Sequence, residues 1–214
     1  MHRKRISIRP YRYWLGALVP ATLVAGYFQP YAGFVVPVVM LAALGTAALG
    51  GGRRFCGHCC PRGSFLDTWL GRLPRRPLPP PFRGPLRWVV MAGLLAFMAW
   101  RLAQNPVDLS HWGRVFWVMC LATTAVALGL AVLYRPRAWC VVCPVGSMST
   151  LLRRPRYRID LPEGCRSCRL CDKVCSVGLL PSQGVWGPAA ADCLQCGACS
   201  EACPLLQQRG RLAA

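Results

Sequence analysis

The chain has 214 residues, of which 54% are hydrophobic and only 15% are charged, whereas an ordinary soluble domain carries about 25% charged residues. Its 26 Lys and Arg residues face seven Asp and Glu residues, which gives a formal charge of +19, and it contains 14 cysteines. This composition excludes a soluble acidic enzyme, a disordered chain and a collagen-like chain. It indicates a membrane protein that carries metal clusters.

Four apolar segments follow one another along the chain. Residues 13–28, 34–49 and 115–134 hold no charged residue, and residues 88–104 hold one near their end. A membrane-spanning helix needs about 20 apolar residues, so the first two segments are marginal in length and the last two are sufficient. We therefore predict an all-α membrane domain of four transmembrane helices, arranged as two hairpin repeats. Buried helices of a soluble protein are disfavoured because no amphipathic elements are present to cover them.

The arginines are distributed unevenly among the connections. They cluster before the first segment, between the second and third, and after the fourth, whereas the other two connections hold none and one. The positive-inside rule then predicts a multi-pass protein of the inner (plasma) membrane, in contact with membrane lipids and with both termini in the cytoplasm. A second apolar run follows the first with no clear cleavage site, so a retained span is favoured over a signal peptide. Because the arginines flank the spans, we expect no nucleic-acid partner.

Two similar cysteine loops, at residues 53–64 and 137–147, follow the two apolar hairpins. Both read arginine, aromatic residue, cysteine and then Cys-Pro-x-Gly-Ser, and a proline-rich linker at residues 73–85 separates the repeats. The loop cysteines are Cys56, Cys60, Cys140 and Cys143. A duplication of this kind usually places functional groups near the pseudo-symmetry axis. We call these segments the two Cys-Pro loops.

Three interpretations of the loop cysteines stay open: structural turns with inert thiols, a thiol relay or reversible disulfide, and ligands of a further metal or cluster. The neighbouring arginines are expected to lower the pKa of these thiols. Asp67 is the only carboxylate near a Cys-Pro loop, and we expect it at the surface. Cys120 lies within the fourth segment and is expected to be a packing residue.

The strongest chemical signal lies in the tail, residues 159–214, where the pattern CxxCxxCxxxC occurs twice. Bacterial ferredoxins with two [4Fe–4S] clusters have this spacing, and the fourth cysteine of each run ligates the other cluster. We predict one cluster on Cys165, Cys168, Cys171 and Cys203. We predict the second on Cys193, Cys196, Cys199 and Cys175. Zinc fits this spacing poorly, and disulfides are disfavoured in a reducing cytoplasm.

The sequence therefore predicts two domains. Residues 1–158 form the transmembrane domain with its two Cys-Pro loops, and residues 159–214 form a ferredoxin-like α+β domain with two [4Fe–4S] clusters. No histidine lies within an apolar segment, which excludes haem held by two histidines in the membrane. No catalytic acid–base pair can be read from the sequence.

Four spans, two Cys-Pro loops and a double CxxCxxCxxxC tail together resemble the polyferredoxin-like membrane proteins of the NapH, NosR and MauN type. The resemblance implies a quinol dehydrogenase-type subunit that exchanges electrons between quinone, or a cytoplasmic donor, and a separate redox partner protein. The second Cys-Pro loop departs from the pattern of the first, since two residues separate its cysteines where the first has three. Two other function classes stay open: a copper reductase or assembly factor, and a redox sensor.

Overall fold

The computed structural model describes residues 10–71, 73, 76–152, 163–184 and 190–207. Within these ranges the chain forms helices and turns and contains no strand. The helices are α1 (Tyr11–Phe28), α2 (Val35–Thr46), α3 (Arg54–His58), α4 (Pro61–Leu70), α5 (Pro85–Ala103), α6 (Leu109–Leu133), α7 (Trp139–Val142), α8 (Pro144–Leu151), α9 (Leu170–Val174) and α10 (Ala198–Ala202). The helical character of the membrane domain agrees with the prediction. The described part of the tail has short helices only, so the α+β character is not confirmed.

Three helical segments are long and apolar enough to cross a membrane: Pro30–Gly51, Pro85–Ala103 and Leu109–Leu133. They correspond to the second, third and fourth predicted spans, with the last two ending one residue earlier than predicted, and they indicate a membrane protein. The first predicted span forms α1, an 18-residue helix with Pro20 in its interior, but it is not among the three. A fourth span therefore stays a prediction. The predicted domain boundary, at residues 158–159, lies outside the described residues.

The short helix of each repeat contacts long helices of both repeats. Helix α4 packs along α1 and also touches α6, while α8 packs on α5 and also touches α2. Each short helix thus contacts the first long helix of its own repeat and the second long helix of the other. A residue with a side chain at Gly16 would place its Cβ 3.1 Å from the Cα of Phe65. This close backbone approach explains a glycine on that face of α1.

The turn before α2 crosses α6 at a second glycine contact. A Cβ on Gly113 would lie 2.3 Å from the carbonyl oxygen of Pro30, so only glycine allows the two backbones to approach this closely. Further along α6, the indole nitrogen of Trp117 donates a hydrogen bond to the carbonyl oxygen of Leu23 at 2.9 Å. Helix α6 is thereby fixed against both helices of the first repeat, and the two Cys-Pro loops meet at one end of this bundle.

Candidate metal centres

The two Cys-Pro loops enter their following helices in the same way. Cys60 and Cys143 precede α4 and α8 with φ/ψ angles of −67°/118° and −57°/129°, and a proline follows each as the first helical residue. Proline is favoured there because its φ is preset and the N–H it lacks would have no helical partner. The first loop has one more residue between its two cysteines than the second, and its Cys59 is exposed. The unequal spacing therefore does not prevent equivalent placement of the second cysteines.

Each Cys-Pro loop is fixed by an arginine of the other repeat. Arg53 donates from Nη2 to the carbonyl oxygen of Cys140, and Arg137 donates from Nη1 to the carbonyl oxygen of Cys56. Arg53 and Arg137 occupy the same position in the two loops, three residues before the first cysteine. Both are almost completely buried, with exposed fractions of 0% and 1%. The two loops are thus held against each other by reciprocal hydrogen bonds.

The glycines of the two Cys-Pro-x-Gly-Ser motifs make room for these arginines. A Cβ on Gly63 would lie 2.7 Å from Nη1 of Arg137, and one on Gly146 would lie 2.4 Å from Nη2 of Arg53. Real Cβ atoms do not approach other atoms so closely, so a larger residue would displace a buried guanidinium group. The motif therefore encodes contact between the repeats as well as the turn itself.

Asp67 supports the second of these arginines. Its carboxylate accepts hydrogen bonds from Arg137 at 2.7 and 3.0 Å and from Arg12 at 3.0 Å, and the carboxylate is only 20% exposed. Burial alone would lower the pKa of Arg137, but Asp67 holds this pKa above its usual value. The expectation that Asp67 occupies a surface position is therefore wrong. It is a partly buried counter-ion, a role that depends on side chains from α1 and from the second loop.

Asp192 links the tail to the membrane domain. It is 3% exposed, and its Oδ1 accepts from Arg87 at 2.5 Å and from Arg53 at 3.4 Å. It immediately precedes Cys193, the first cysteine of the second tail run. Arg135 adds a hydrogen bond to the carbonyl oxygen of Cys175 at 2.9 Å. Arginines around the Cys-Pro loops thus bind the tail. The sequence predicts a second effect of these arginines, which is to orient the chain in the membrane.

An apolar core joins the first Cys-Pro loop to the second tail run. Its buried members are Val141, Val177, Leu179, Ala190 and Leu194, and packed against it are Cys56, Cys175, Cys193 and Cys196 among others. At this contact a Cβ on Gly57 would lie 2.1 Å from the carbonyl oxygen of Leu194. A loop cysteine and three tail cysteines therefore share one packed region.

The four loop cysteines also line a single cavity of about 180 Å³. Its other walls are mostly apolar side chains of α1, α2, α5 and α6, among them Val19, Val39, Leu94 and Phe116. Cys120 also lines this cavity. Its Sγ lies 3.5 Å from Nη2 of Arg62. The structure thus brings both Cys-Pro loops to one end of a cavity between the long helices.

The thiols of the two loops influence one another electrostatically. The pKa of Cys56 is raised to about 11 and that of Cys140 to about 12, mainly by burial and to a smaller extent by the nearby Cys60 and Cys143. The loop arginines act in the opposite direction but do not offset burial. The expectation of lowered thiol pKa values is therefore wrong for Cys56 and Cys140. The two arginines that lower them are hydrogen-bonded to carbonyl and carboxylate oxygens, whereas Cys140 is buried and Cys56 is partly buried.

The two tail runs share an unusual backbone conformation. The residues on either side of the second cysteine are left-handed in both runs: Ser167 and Arg169 have φ of 49° and 56°, and Gln195 and Gly197 have φ of 53° and 77°. Such values are uncommon for residues other than glycine. In the second run this turn lets the Gln195 N–H donate to the Sγ of Cys193 at 3.4 Å. A backbone donor on a cysteine sulfur suits an iron–sulfur cluster.

The predicted second cluster set is brought together in the tail. The pKa of Cys199 is raised to about 11, first by burial and then by Cys196, Cys193 and Cys175, which places Cys175 beside the other run. For the predicted first set, Cys171 lies in α9 and Cys203 follows α10, and these helices pack together. No interaction given by the structure joins all four cysteines of that set. Ligation by either set stays a prediction.

Among the described residues, no three histidine, cysteine, aspartate or glutamate side chains are arranged to hold a single metal ion. One ion with four thiolates would need sulfurs about 4 Å apart, because each Zn–S or Fe–S bond is about 2.3 Å long. A cluster binds each cysteine through a different iron and needs a wider arrangement. The number and spacing of the cysteines make them candidates for clusters, and this ligation stays a prediction.

Comparison with known proteins gives two matches. The family described as "4Fe-4S binding domain" matches residues 32–81 and 114–162, so each match includes one Cys-Pro loop and neither includes the cysteines of the tail. "Methylamine utilization ferredoxin-type protein MauN" of Methylorubrum extorquens is 32% identical over 142 residues, which cover 59% of this chain and 48% of that protein. The chain thus spans about half the length of this curated relative. No solved structure matches.

Proposed function

We propose, from the confirmed resemblance to MauN-like ferredoxin-type proteins, that this chain carries electrons at the inner membrane. It passes them between the quinone pool, or a cytoplasmic donor, and a separate partner redox protein. Two [4Fe–4S] clusters in the tail would supply one-electron storage, held by the two cysteine sets predicted above. The chain acts as a quinol dehydrogenase-type subunit, and the transfer of electrons onward depends on its partner.

The observation that carries this proposal is the repeated left-handed turn at the second cysteine of both tail runs. A non-glycine residue in this conformation is strained by about 1 kcal/mol or more, and such strain is maintained where function requires it. Here the same turn recurs at matching positions, at Ser167 and Gln195, in two runs with ferredoxin spacing. The described tail is thereby suited to present its cysteines to two clusters.

The membrane part of the proposal includes α1 as a fourth span, with both termini in the cytoplasm. Helix α1 packs along α4 and contacts α6, one of the three apolar helices. At its two ends it exposes Trp14, Tyr27 and Phe28, and aromatic side chains favour the two membrane interfaces. In this arrangement the tail docks on the cytoplasmic face of the bundle through Asp192. Electrons then move between the tail and a site that lipid-soluble quinone can reach.

The test is reduction of the clusters by a quinol analogue in membranes that contain the full chain, followed by EPR spectroscopy. We expect a reduced iron–sulfur signal that appears with the quinol and is suppressed by a quinone-site inhibitor. Cys175→Ser should remove one of the two tail clusters and Cys203→Ser the other, while Cys120→Ser, the matched control, should leave both signals intact. Clusters that are reduced by a cytoplasmic ferredoxin donor but never by quinol would contradict the proposed exchange of electrons with quinone.

A second candidate function, copper reduction, is favoured by one observation. Met40, Met98 and Met119 line the cavity together with Cys120 and the loop cysteines, and thioether and thiolate sulfurs are preferred ligands of Cu(I). Under this proposal a cluster donates one electron to Cu(II) and the sulfur-lined cavity retains the Cu(I) product. Equilibrium Cu(I) binding should then be tight and should be lost in Cys56→Ser or Cys140→Ser. Unchanged Cu(I) affinity in both variants would remove this candidate.

A further inference from the structure

We infer that Cys56, Cys60, Cys140 and Cys143 together hold one iron–sulfur cluster, in addition to the two proposed in the tail. The cluster lies where the two repeats meet, and half of its ligands come from each repeat. Its role in electron transfer rests on the proposed function, whereas its presence can be tested independently. Four steps lead to this inference: shared ligands, buried charge, unused hydrogen-bond donors and position.

The first step is that neither repeat suffices by itself. Each segment matched by the 4Fe-4S binding family carries one Cys-Pro loop, and the loop cysteines that line the cavity number two from each. Iron–sulfur clusters are usually held by four cysteines, so one complete site requires both loops. The reciprocal hydrogen bonds of Arg53 and Arg137 hold the loops together in the way that such a shared site needs.

The second step is the balance of charge around the loops. Four guanidinium groups form ion pairs here with only two carboxylates. The guanidinium groups belong to Arg12, Arg53, Arg87 and Arg137. The carboxylates belong to Asp67 and Asp192, so the described ion pairs leave two positive charges in surplus. A [4Fe–4S] core with a 2+ charge and four thiolates carries two net negative charges. Cluster binding would therefore neutralise a buried surplus that neutral thiols leave uncompensated.

The third step concerns the serines that end both Cys-Pro-x-Gly-Ser motifs. Ser64 and Ser147 have exposed fractions of 1% and 0%, and neither hydroxyl has a hydrogen-bond partner among the described residues. Each lies one helical turn after the second cysteine of its loop, and its own N–H donates to that cysteine's carbonyl oxygen. A buried hydroxyl without a partner is rare and points to a group that accepts its hydrogen bond when bound. Cluster sulfur is such an acceptor.

The fourth step is position. Cys56 packs on the same apolar core as Cys175, Cys193 and Cys196, which are predicted ligands of a tail cluster. On its other side the loop site opens on the cavity between the long helices. A cluster at the loops would thus lie between the membrane cavity and the tail. A structural turn with inert thiols would not require four cysteines around one cavity.

The test is iron and acid-labile sulfide content, with Mössbauer spectra, for the full chain purified without oxygen. We expect more than about eight iron per chain, because the two tail clusters account for about eight. Cys60→Ser and Cys143→Ser should each reduce the content to about eight, and the double variant should lose no more than either single one. That non-additivity is the signature of one cluster shared by both repeats.

The matched control is Cys59→Ser, which changes an exposed cysteine of the same loop that does not line the cavity. It should keep the full iron content. The EPR signals of the tail clusters, measured in the same samples, show that each variant is folded. A wild-type content of about eight iron, a Cys60–Cys143 disulfide or bound copper without extra iron would overturn the inference and leave the tail clusters unaffected. Absence of the tail signals would instead contradict the proposed function.

Discussion

Asp192 shows how much of this molecule depends on single buried groups. Its carboxylate contacts Arg53 of the first Cys-Pro loop and Arg87 of α5 while its backbone leads into the second tail run. Only seven acidic residues are present in the chain, and the carboxylate of Asp192 is the counter-ion of both arginines. Removal of one partner from a buried ion pair is costly, because the remaining charge stays out of water.

Asp192→Asn should therefore destabilise docking of the tail. The amide keeps the shape of the side chain but leaves Arg53 and Arg87 without a counter-ion, at a cost of about 3–5 kcal/mol. Limited proteolysis of the purified full chain should release the tail much faster than in the wild type. Glu201→Gln, which removes an exposed carboxylate of α10, is the control and should not change the cleavage rate. Equal cleavage of both variants would contradict this role of Asp192.

The glycines of the Cys-Pro loops allow a second test. Gly63→Ala and Gly146→Ala would each place a methyl group against a buried guanidinium that cannot move without losing its hydrogen bonds. We expect a loss of about 1–3 kcal/mol in the free energy of unfolding, measured by denaturation in detergent. Gly93→Ala and Gly129→Ala, in α5 and α6, have open space around the added methyl. These two variants should be neutral or slightly stabilising. A loss of unfolding free energy as large as that of Gly146→Ala would contradict this role of the loop glycines.

At the scale of elements, the sequence predicts what depends on local pattern. Apolar length locates α2, α5 and α6, Cys-Pro marks the starts of α4 and α8, and cysteine spacing marks the tail. The contacts between repeats could not be predicted, because Arg53 and Cys140 are 87 residues apart in sequence. One signal was available: an arginine stands three residues before the first cysteine of both loops. The pKa values of Cys56 and Cys140 were mispredicted because adjacent charge was visible in the sequence and burial was not.

The composition of α1 does not decide whether this helix spans the membrane. If α1 spans the membrane, the N-terminus lies on the cytoplasmic side with the Cys-Pro loops; if it does not, the three apolar helices place the N-terminus on the opposite side. We expect an epitope tag at the N-terminus to be protected from protease in spheroplasts, as a C-terminal tag should be. A tag inserted between Asn105 and Asp108 is the control and should be digested. Digestion of the N-terminal tag would contradict a fourth span.

At the scale of the whole molecule, the two repeats pack as one structural unit. Each short helix contacts both repeats, the arginine of each loop binds the other loop, and the four loop cysteines line one cavity. The tail is attached at this junction through Asp192 and the apolar core. The order of parts is therefore the cavity between the long helices, the loop cysteines and the tail cysteines, which is the order that the proposed electron path requires.

One measurement tests the central claim of an iron–sulfur electron carrier most directly. It is the metal content of the full chain after anaerobic purification from membranes, combined with EPR spectroscopy after dithionite reduction. The account predicts at least about eight iron with matching acid-labile sulfide, and a spectrum with magnetic coupling between neighbouring clusters. Stoichiometric zinc with no iron, or a reduced sample with no iron–sulfur signal, would contradict it.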